Sequence, residues 1–278
     1  MPPRRLLVLF AFFVSCAPAQ WLNYPTPGTP RTRDGKPNLT APVPRVADGK
    51  PDLSGAWHVQ TLSLAEMKRL FGDNLGVTSV PGMEPDTISK YAVNVLLDFK
   101  PDESPMRPET AEIFRRRIMG AEDREVCVPL GIPLAGLVSE ATKIAQSPRL
   151  TVILYESDGT HRQIYTDGRS LPKEIVQPAW LGYSVGHWDR DTLVVESAGF
   201  NDKTWLDVTG HPHSEAMRMV ERYHRRDFGH LDIEVTFDDL QMYTKPFTIK
   251  FAYELLADSD VFENICENEK DRAHVPSR

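Results

Sequence analysis

Several things are scarce in this chain of 278 residues, and each scarcity removes a class of protein. There are three cysteines, Cys16, Cys127 and Cys266, and no Cys-x-x-Cys pair. That argues against a zinc ribbon and a thioredoxin-type redox site. No block of lysine and arginine stands against the 39 acidic residues, and the formal charge is −7. A nucleic-acid partner is therefore not expected. Past the first 19 residues no apolar run approaches the roughly 20 residues a membrane-spanning helix needs, so no transmembrane segment is expected. His-Glu-x-x-His is also missing. Gly182-Tyr183-Ser184-Val185-Gly186 spells Gly-x-Ser-x-Gly, but its serine sits inside an expected strand, where a nucleophile elbow needs a strand–turn–helix. Its glycines read as close-packing positions beside Trp180 and Trp188.

What is present begins at the N-terminus. Arg4 and Arg5 precede an apolar run from Leu6 to Val14, and Ala17-Pro18-Ala19 follows. This order is that of a cleavable signal peptide over residues 1–19, with a mature start at Gln20. An alternative makes Cys16 a lipoprotein anchor. Cleavage implies a periplasmic or secreted protein and takes the formal charge from −7 to −9, because two arginines leave. It also leaves Cys127 and Cys266 as an even pair in an oxidising compartment. A disulfide between them would close a long loop, worth about 4–5 kcal/mol in the chain-entropy model; two free buried thiols are the other reading.

Residues 20–52 are rich in proline and read as an extended arm. Arg33-Asp34-Gly35-Lys36-Pro37 recurs 14 residues later as Ala47-Asp48-Gly49-Lys50-Pro51. Two Asp-Gly turns laid along a domain surface account for this. Residues 53–278 form one domain with a helical insertion at about 63–120. Its first strand contains Gly55-Ala56-Trp57, a Gly-x-Trp triplet that opens lipocalin-like barrels. Ser63-Leu64-Ala65-Glu66 is a capping box, with Gly72 ending that helix. A second helix is expected from Pro108 to Met119, its Glu109 early and Arg115, Arg116 and Arg117 late, as the helix dipole favours. Residues 73–107 read as irregular.

From Val126 onward short strands alternate with turn signals. Expected strands include 144–146, 150–156, 161–166, 181–188, 192–196, 217–226, 231–237, 247–255 and 261–266. Period-2 reading puts Leu231, Ile233, Val235 and Phe237 on one face, and Met217, Met219, Glu221 and Tyr223 together. The expected fold is mainly β: an antiparallel lipocalin-like barrel of about eight to ten strands, two short helices and the Pro-rich arm.

The densest polar cluster is Trp205 to Glu215. In an extended segment His211, His213 and Glu215 would point the same way. They are then candidates for a divalent-metal site or, with Glu221, for acid–base chemistry. A polar loop whose histidines cap backbone groups is the competing reading. Arg169 follows an expected strand end, where it would clamp a carboxylate or phosphate at a barrel mouth. Trp180, Tyr183, His187, Trp205 and His230 complete a candidate ligand-binding set. No cofactor is expected beyond that metal.

The phrases Ile164–Arg169, Trp180–Trp188, Asp191–Val195, Gly210–Glu215 and Tyr243–Pro246 resemble a secreted family of soil bacteria, as does Asp48–Trp57. The resemblance implies export and assigns no activity. Position 190 is often glycine there, as a tight turn prefers; this chain has Arg190. Two functions follow as expectations: an exported small-molecule-binding barrel, or a periplasmic or extracellular hydrolase, lyase or isomerase using the His/Glu cluster.

Overall fold

The computed structural model describes residues 24–71, 89–120 and 127–264. The expected signal peptide, Cys16, Gly72 and Cys266 lie outside them, and so does the expected disulfide. Cys127 is exposed at the surface with φ +60°.

Nine strands close into a ring in sequence order. They are β1 (Gly55–Val59), β2 (Thr142–Gln146), β3 (Leu150–Tyr155), β4 (His161–Tyr165), β5 (Tyr183–Asp189), β6 (Thr192–Ala198), β7 (Arg218–Arg225), β8 (His230–Asp238) and β9 (Phe247–Leu255). The barrel is mixed, which corrects the all-antiparallel expectation: β4 and β5 run parallel, and the other neighbours run antiparallel. The reason is parity. Around a closed ring, strand direction must return to itself, so the number of reversals is even. Nine neighbour pairs cannot all be reversals. The chain makes its one parallel step with a long crossover, residues 166–182, in place of a hairpin. The expected strand at 261–266 does not form over Val261–Asn264. Closure of β9 on β1, with Trp57 opposite Leu255, leaves no edge for it to join.

The period-2 faces are as expected. Met219, Glu221, Tyr223, Leu231, Ile233, Val235, Phe237, Phe247, Ile249 and Tyr253 are all buried. Their inward faces fill the ring with side chains, so the interior is a packed core. Outward positions such as Lys250 and Glu234 pair with one another in solvent. Arg190 adopts φ +55° in the two-residue turn joining β5 to β6, the strained position where glycine was expected.

Each end of the ring is covered differently. One end is strapped by the arm, whose duplication proves longer than Asp-Gly-Lys-Pro. Pro30-Arg31 to Thr40 and Pro44-Arg45 to Ser54 follow one pattern, Pro-Arg-x-x-Asp-Gly-Lys-Pro-(Asn/Asp)-Leu-(Thr/Ser). Each copy folds the same way. Arg31 Nη1 donates to Gly35 O at 3.1 Å and Arg45 Nη1 to Gly49 O at 2.8 Å. Gly35 and Gly49 take φ +84° and +82°, which side-chain-bearing residues resist. Each arginine then grips a carboxylate on the barrel rim, Arg31 with Asp258 and Arg45 with Asp191. Leu39 O accepts from Gly229 N in the β7–β8 turn at 2.7 Å. The fully buried Trp57 donates from Nε1 to Leu53 O at 3.1 Å and lies under the Arg225 guanidinium, 4.8 Å from its ring. Arg225 is held by the carbonyls of Asp52 and Phe228, and burial pulls it down to about 10.

The opposite end is capped by the insertion. Helix α1 (Leu64–Phe71) opens on the expected capping contact, Glu66 N to Ser63 Oγ at 3.2 Å. Helix α3 (Pro108–Ile118) also forms. The span expected to be irregular holds a helical turn, α2 (Lys90–Val93), capped by Ser89. Tyr91, Ala92, Val93, Val95 and Leu96 are buried there. A second buried turn, Leu134–Gly136, enters the same end, and Gly136 O accepts from Tyr253 OH at 2.7 Å. A Cβ at Gly136 would stand 2.4 Å from that hydroxyl, so only glycine fits.

Candidate functional site

The residues around 204–215 form a closed, locally satisfied knot. Asp207 starts it. Its Oδ1 accepts from the backbone N–H groups of Thr209, Gly210 and His211, and its Oδ2 from Val95 N at 2.8 Å. This is the short-range capping that aspartate performs in turns. Gly210 at φ +100° turns the chain just before His211, and a second turn follows at Glu215 and Ala216. His211 Nδ1 donates to Asp207 Oδ2 at 2.5 Å, and its ring stacks on Phe114 of α3 at 3.9 Å. His213 faces other neighbours: its Nδ1 lies 3.3 Å from Ser214 O and its Nε2 2.6 Å from Thr204 Oγ1. That network assigns the proton to Nδ1 and leaves Nε2 to accept from the hydroxyl. Burial pulls the His213 pKa below its ordinary value and keeps the ring neutral. Ser214 is tied to Asp239 through both N and Oγ. Glu215 points to solvent. The metal and acid–base set His211, His213, Glu215 and Glu221 is thus not brought together. Among the described residues no three His, Cys, Asp or Glu side chains gather as a metal site.

Glu221 belongs to a different network, inside the barrel. Arg162 of β4 forms a fork with it, Nη1 donating to Oε1 at 3.0 Å and Nη2 to Oε2. Arg162 Nε donates to Ser184 Oγ at 2.9 Å and Nη2 to Ser197 Oγ at 2.7 Å. Tyr223 OH donates to Glu221 Oε1 at 2.7 Å. Four strands supply these groups, and each is almost fully buried. Burial alone would lower the Arg162 pKa, but the Glu221 charge and hydrogen bonds hold it well above its ordinary value. Burial pushes the Tyr155 phenol up to about 12 and raises Tyr223 and Tyr253 as well.

The parallel seam places an opening over this network. β4 and β5 match only at Ile164 with Ser184 and Tyr165 with Val185. His161 and Arg162 lie beyond the start of β5, and Gln163 is level with its first residue, Tyr183. The crossover folds back over that gap, fastened by Tyr183 OH to Gln177 O at 2.8 Å and by Ala179 N to Gly199 O at 2.8 Å. The result is a cavity of about 410 Å³. Leu171, Pro172, Leu181 and Val185 make its apolar side; His161, Gln163, Tyr165 and Arg169 its polar side; Arg162 and Ser184 reach it from below. Gly182 (φ +61°) lets the crossover close, since a Cβ there would stand 2.8 Å from the Phe200 ring. Arg169 is fixed by Asp167, with Nε 2.9 Å from Oδ1 and Nη2 2.7 Å from Oδ2, and lies 3.8 Å from the Tyr165 ring centre. The hydrogen bonds from Arg169 hold the Asp167 carboxyl below its usual range. A second cavity, of about 350 Å³, lies between the arm and the barrel near Lys143 and Asp260, which pair with each other.

Of the expected ligand-binding set, Arg169 and Tyr183 line the seam cavity, and Trp180 sits between two of its lining residues, Ala179 and Leu181. The other three lie elsewhere. His187 is exposed on β5. Trp205 is covered by Arg117, 4.9 Å from its ring. His230 bonds Asp227 at 2.7 Å in the β7–β8 turn. Arg162 and Ser197 escaped the sequence reading, and Ser184 was read there only as a strand residue. The signal was there: Arg162 is two residues from buried Ile164, so both share the inward face, and inward Glu221 requires a buried cation. In comparisons with known proteins, no family model, curated protein or solved structure matches the chain.

Proposed function

We propose that the protein is an exported barrel that binds a small molecule in the cavity over the β4–β5 seam. The observation that carries this reading is the cavity's position and chemistry. It is concave and of ligand size, toward the small end of the usual 300–1,000 Å³ range. Apolar side chains form one wall and convergent polar groups the other. It rests on a barrel wall stiffened from inside by the Arg162–Glu221 fork, which is the rigid support a binding site needs. The barrel lumen itself is filled, so the binding place is the outside of the wall and not a mouth. The acid–base alternative receives no such support, because His211 and His213 are buried in separate contacts and Glu221 is engaged by Arg162.

Export of residues 20–278 belongs to the same proposal and rests on the N-terminal pattern alone. N-terminal sequencing of the protein recovered from the cell envelope or medium tests it, with Gln20 expected first. The binding reading is tested by ligand-observed NMR of a fragment library against the mature protein and against Val185→Trp, which fills the cavity from the outer face of β5. Hits that disappear with Val185→Trp, while circular dichroism is unchanged, support the reading. Hits that persist overturn it. Ser170→Trp, in the loop lining, serves the same purpose if Val185→Trp perturbs the sheet.

A further inference from the structure

We infer that the seam cavity takes a monoanionic carboxylate carried on a compact apolar body, an inference that rests on the binding reading above. The lining carries no aspartate or glutamate, in a chain that holds 39 of them against 32 lysines and arginines. Its polar groups carry no negative charge: the Arg169 guanidinium, the His161 ring, the Ser170 hydroxyl and the Gln163 amide, whose oxygen already accepts from Tyr165 OH. Asp167 is not part of the lining, and both its oxygens are taken by Arg169. The Asp167–Arg169 pair therefore turns its positive end toward the cavity. Tyr165 backs the guanidinium at 3.8 Å, and with the Nε–Nη2 edge held by Asp167 the Nη1 side of a pre-set guanidinium remains to meet a carboxylate.

The same arrangement selects for single charge. Arg169 already balances one carboxylate. An anion therefore meets the half-exposed guanidinium of a pair that is already neutral overall, and a dianion such as a phosphate monoester brings two negative charges there where a carboxylate brings one. Arg162 adds none, since Glu221 neutralises it within the wall. The remaining lining, Leu171, Pro172, Leu181 and Val185, is apolar and matches a small hydrocarbon or aromatic body, not a sugar.

The test is a matched series measured by titration calorimetry: phenylacetate, hexanoate, phenylacetamide, phenethylammonium and phenyl phosphate. The two carboxylates are expected to bind at least about tenfold tighter than the amide. Arg169→Gln should bring phenylacetate down to the amide's affinity and leave the amide unchanged. Arg169→Lys should restore part of the difference. A purely structural role for Arg169 would weaken acid and amide together and would overturn the assignment. Amide, ammonium or phosphate binding as tightly as the carboxylates overturns it too, while leaving the cavity reading intact. No binding by any member, or equal binding to Val185→Trp, fails the cavity reading itself.

Discussion

Two buried polar networks face each other across this molecule's sequence and structure. The first, Asp207 with His211 and Thr204 with His213, is assembled within a dozen residues of one loop. The second, Arg162 with Glu221, Ser184 and Ser197, is gathered from four strands spread over 59 residues. The loop attracted attention in the sequence because its histidines are adjacent. In the fold it is a structural knot that seats the cap of one barrel end, as Val95 N on Asp207 and Phe114 on His211 show. In the dispersed network only Ser184 fell within a sequence motif, yet the network lies under the cavity. Adjacency of reactive residue types reports local hydrogen bonding at least as often as chemistry. Dispersed charges on inward strand faces report a requirement of the fold.

The largest predicted effect breaks the second network. Glu221→Ala leaves Arg162 buried without a countercharge and should lower unfolding stability by about 3–5 kcal/mol in urea. The double variant Arg162→Met with Glu221→Met should recover most of that loss, since neither charge then remains. A double variant no more stable than Glu221→Ala would mean the fork does more than neutralise itself. Next comes the first network. Asp207→Ala removes the acceptor of four backbone N–H groups and of His211, at a cost of about 2–4 kcal/mol. Asp207→Asn keeps one oxygen and should cost less. Hydrogen exchange should show the loss centred on residues 207–211 and the neighbouring Val95; uniform loss across the barrel would deny the loop its separate identity.

A smaller effect is a pH dependence confined to the loop. The His213 pKa is lowered in the fold, so the unfolded chain binds the proton more readily. Stability from this group is complete above the unfolded value of about 6.5 and is lost as pH falls from there toward the folded value. His213→Gln should flatten that part of the urea-midpoint profile between pH 7.5 and 5. An unchanged profile would mean that His213 charges without disturbing the loop. The smallest effect belongs to the arm. Arg45 and Asp191 are both about half exposed, and solvent screens such pairs. Arg45→Gln should leave the urea midpoint where it is and be visible only as faster proteolysis within residues 44–51.

Much of this was readable from residues alone. Strand faces were legible because inward and outward environments impose a strict period of two, as at Leu231–Phe237. Capping at Ser63 was legible because a cap is settled within four residues. The helical turn at Lys90–Val93 was not legible. Four residues are too few for a periodic signal, and the turn is held by burial against the barrel end. Of the expected ligand-binding set, Arg169 and Tyr183 line one cavity because they flank one crossover, and Trp180 lies within that crossover. His187, Trp205 and His230 were grouped with them on residue type, which carries no information about which end of a ring a side chain occupies.

Sequence by itself determined the class of the fold, the faces of its strands and the two Asp-Gly turns of the arm. Each depends on contacts within a few residues or on a repeating environment. Tertiary structure alone decided the rest: the single parallel pair, the pairing of Arg162 with Glu221 and the cavity over the seam. Closure is the physical reason. A ring of nine strands must include a parallel step, that step needs a long crossover, and the crossover leaves a gap beside β4. No local interaction encodes that chain of consequences; it exists only once β9 has met β1.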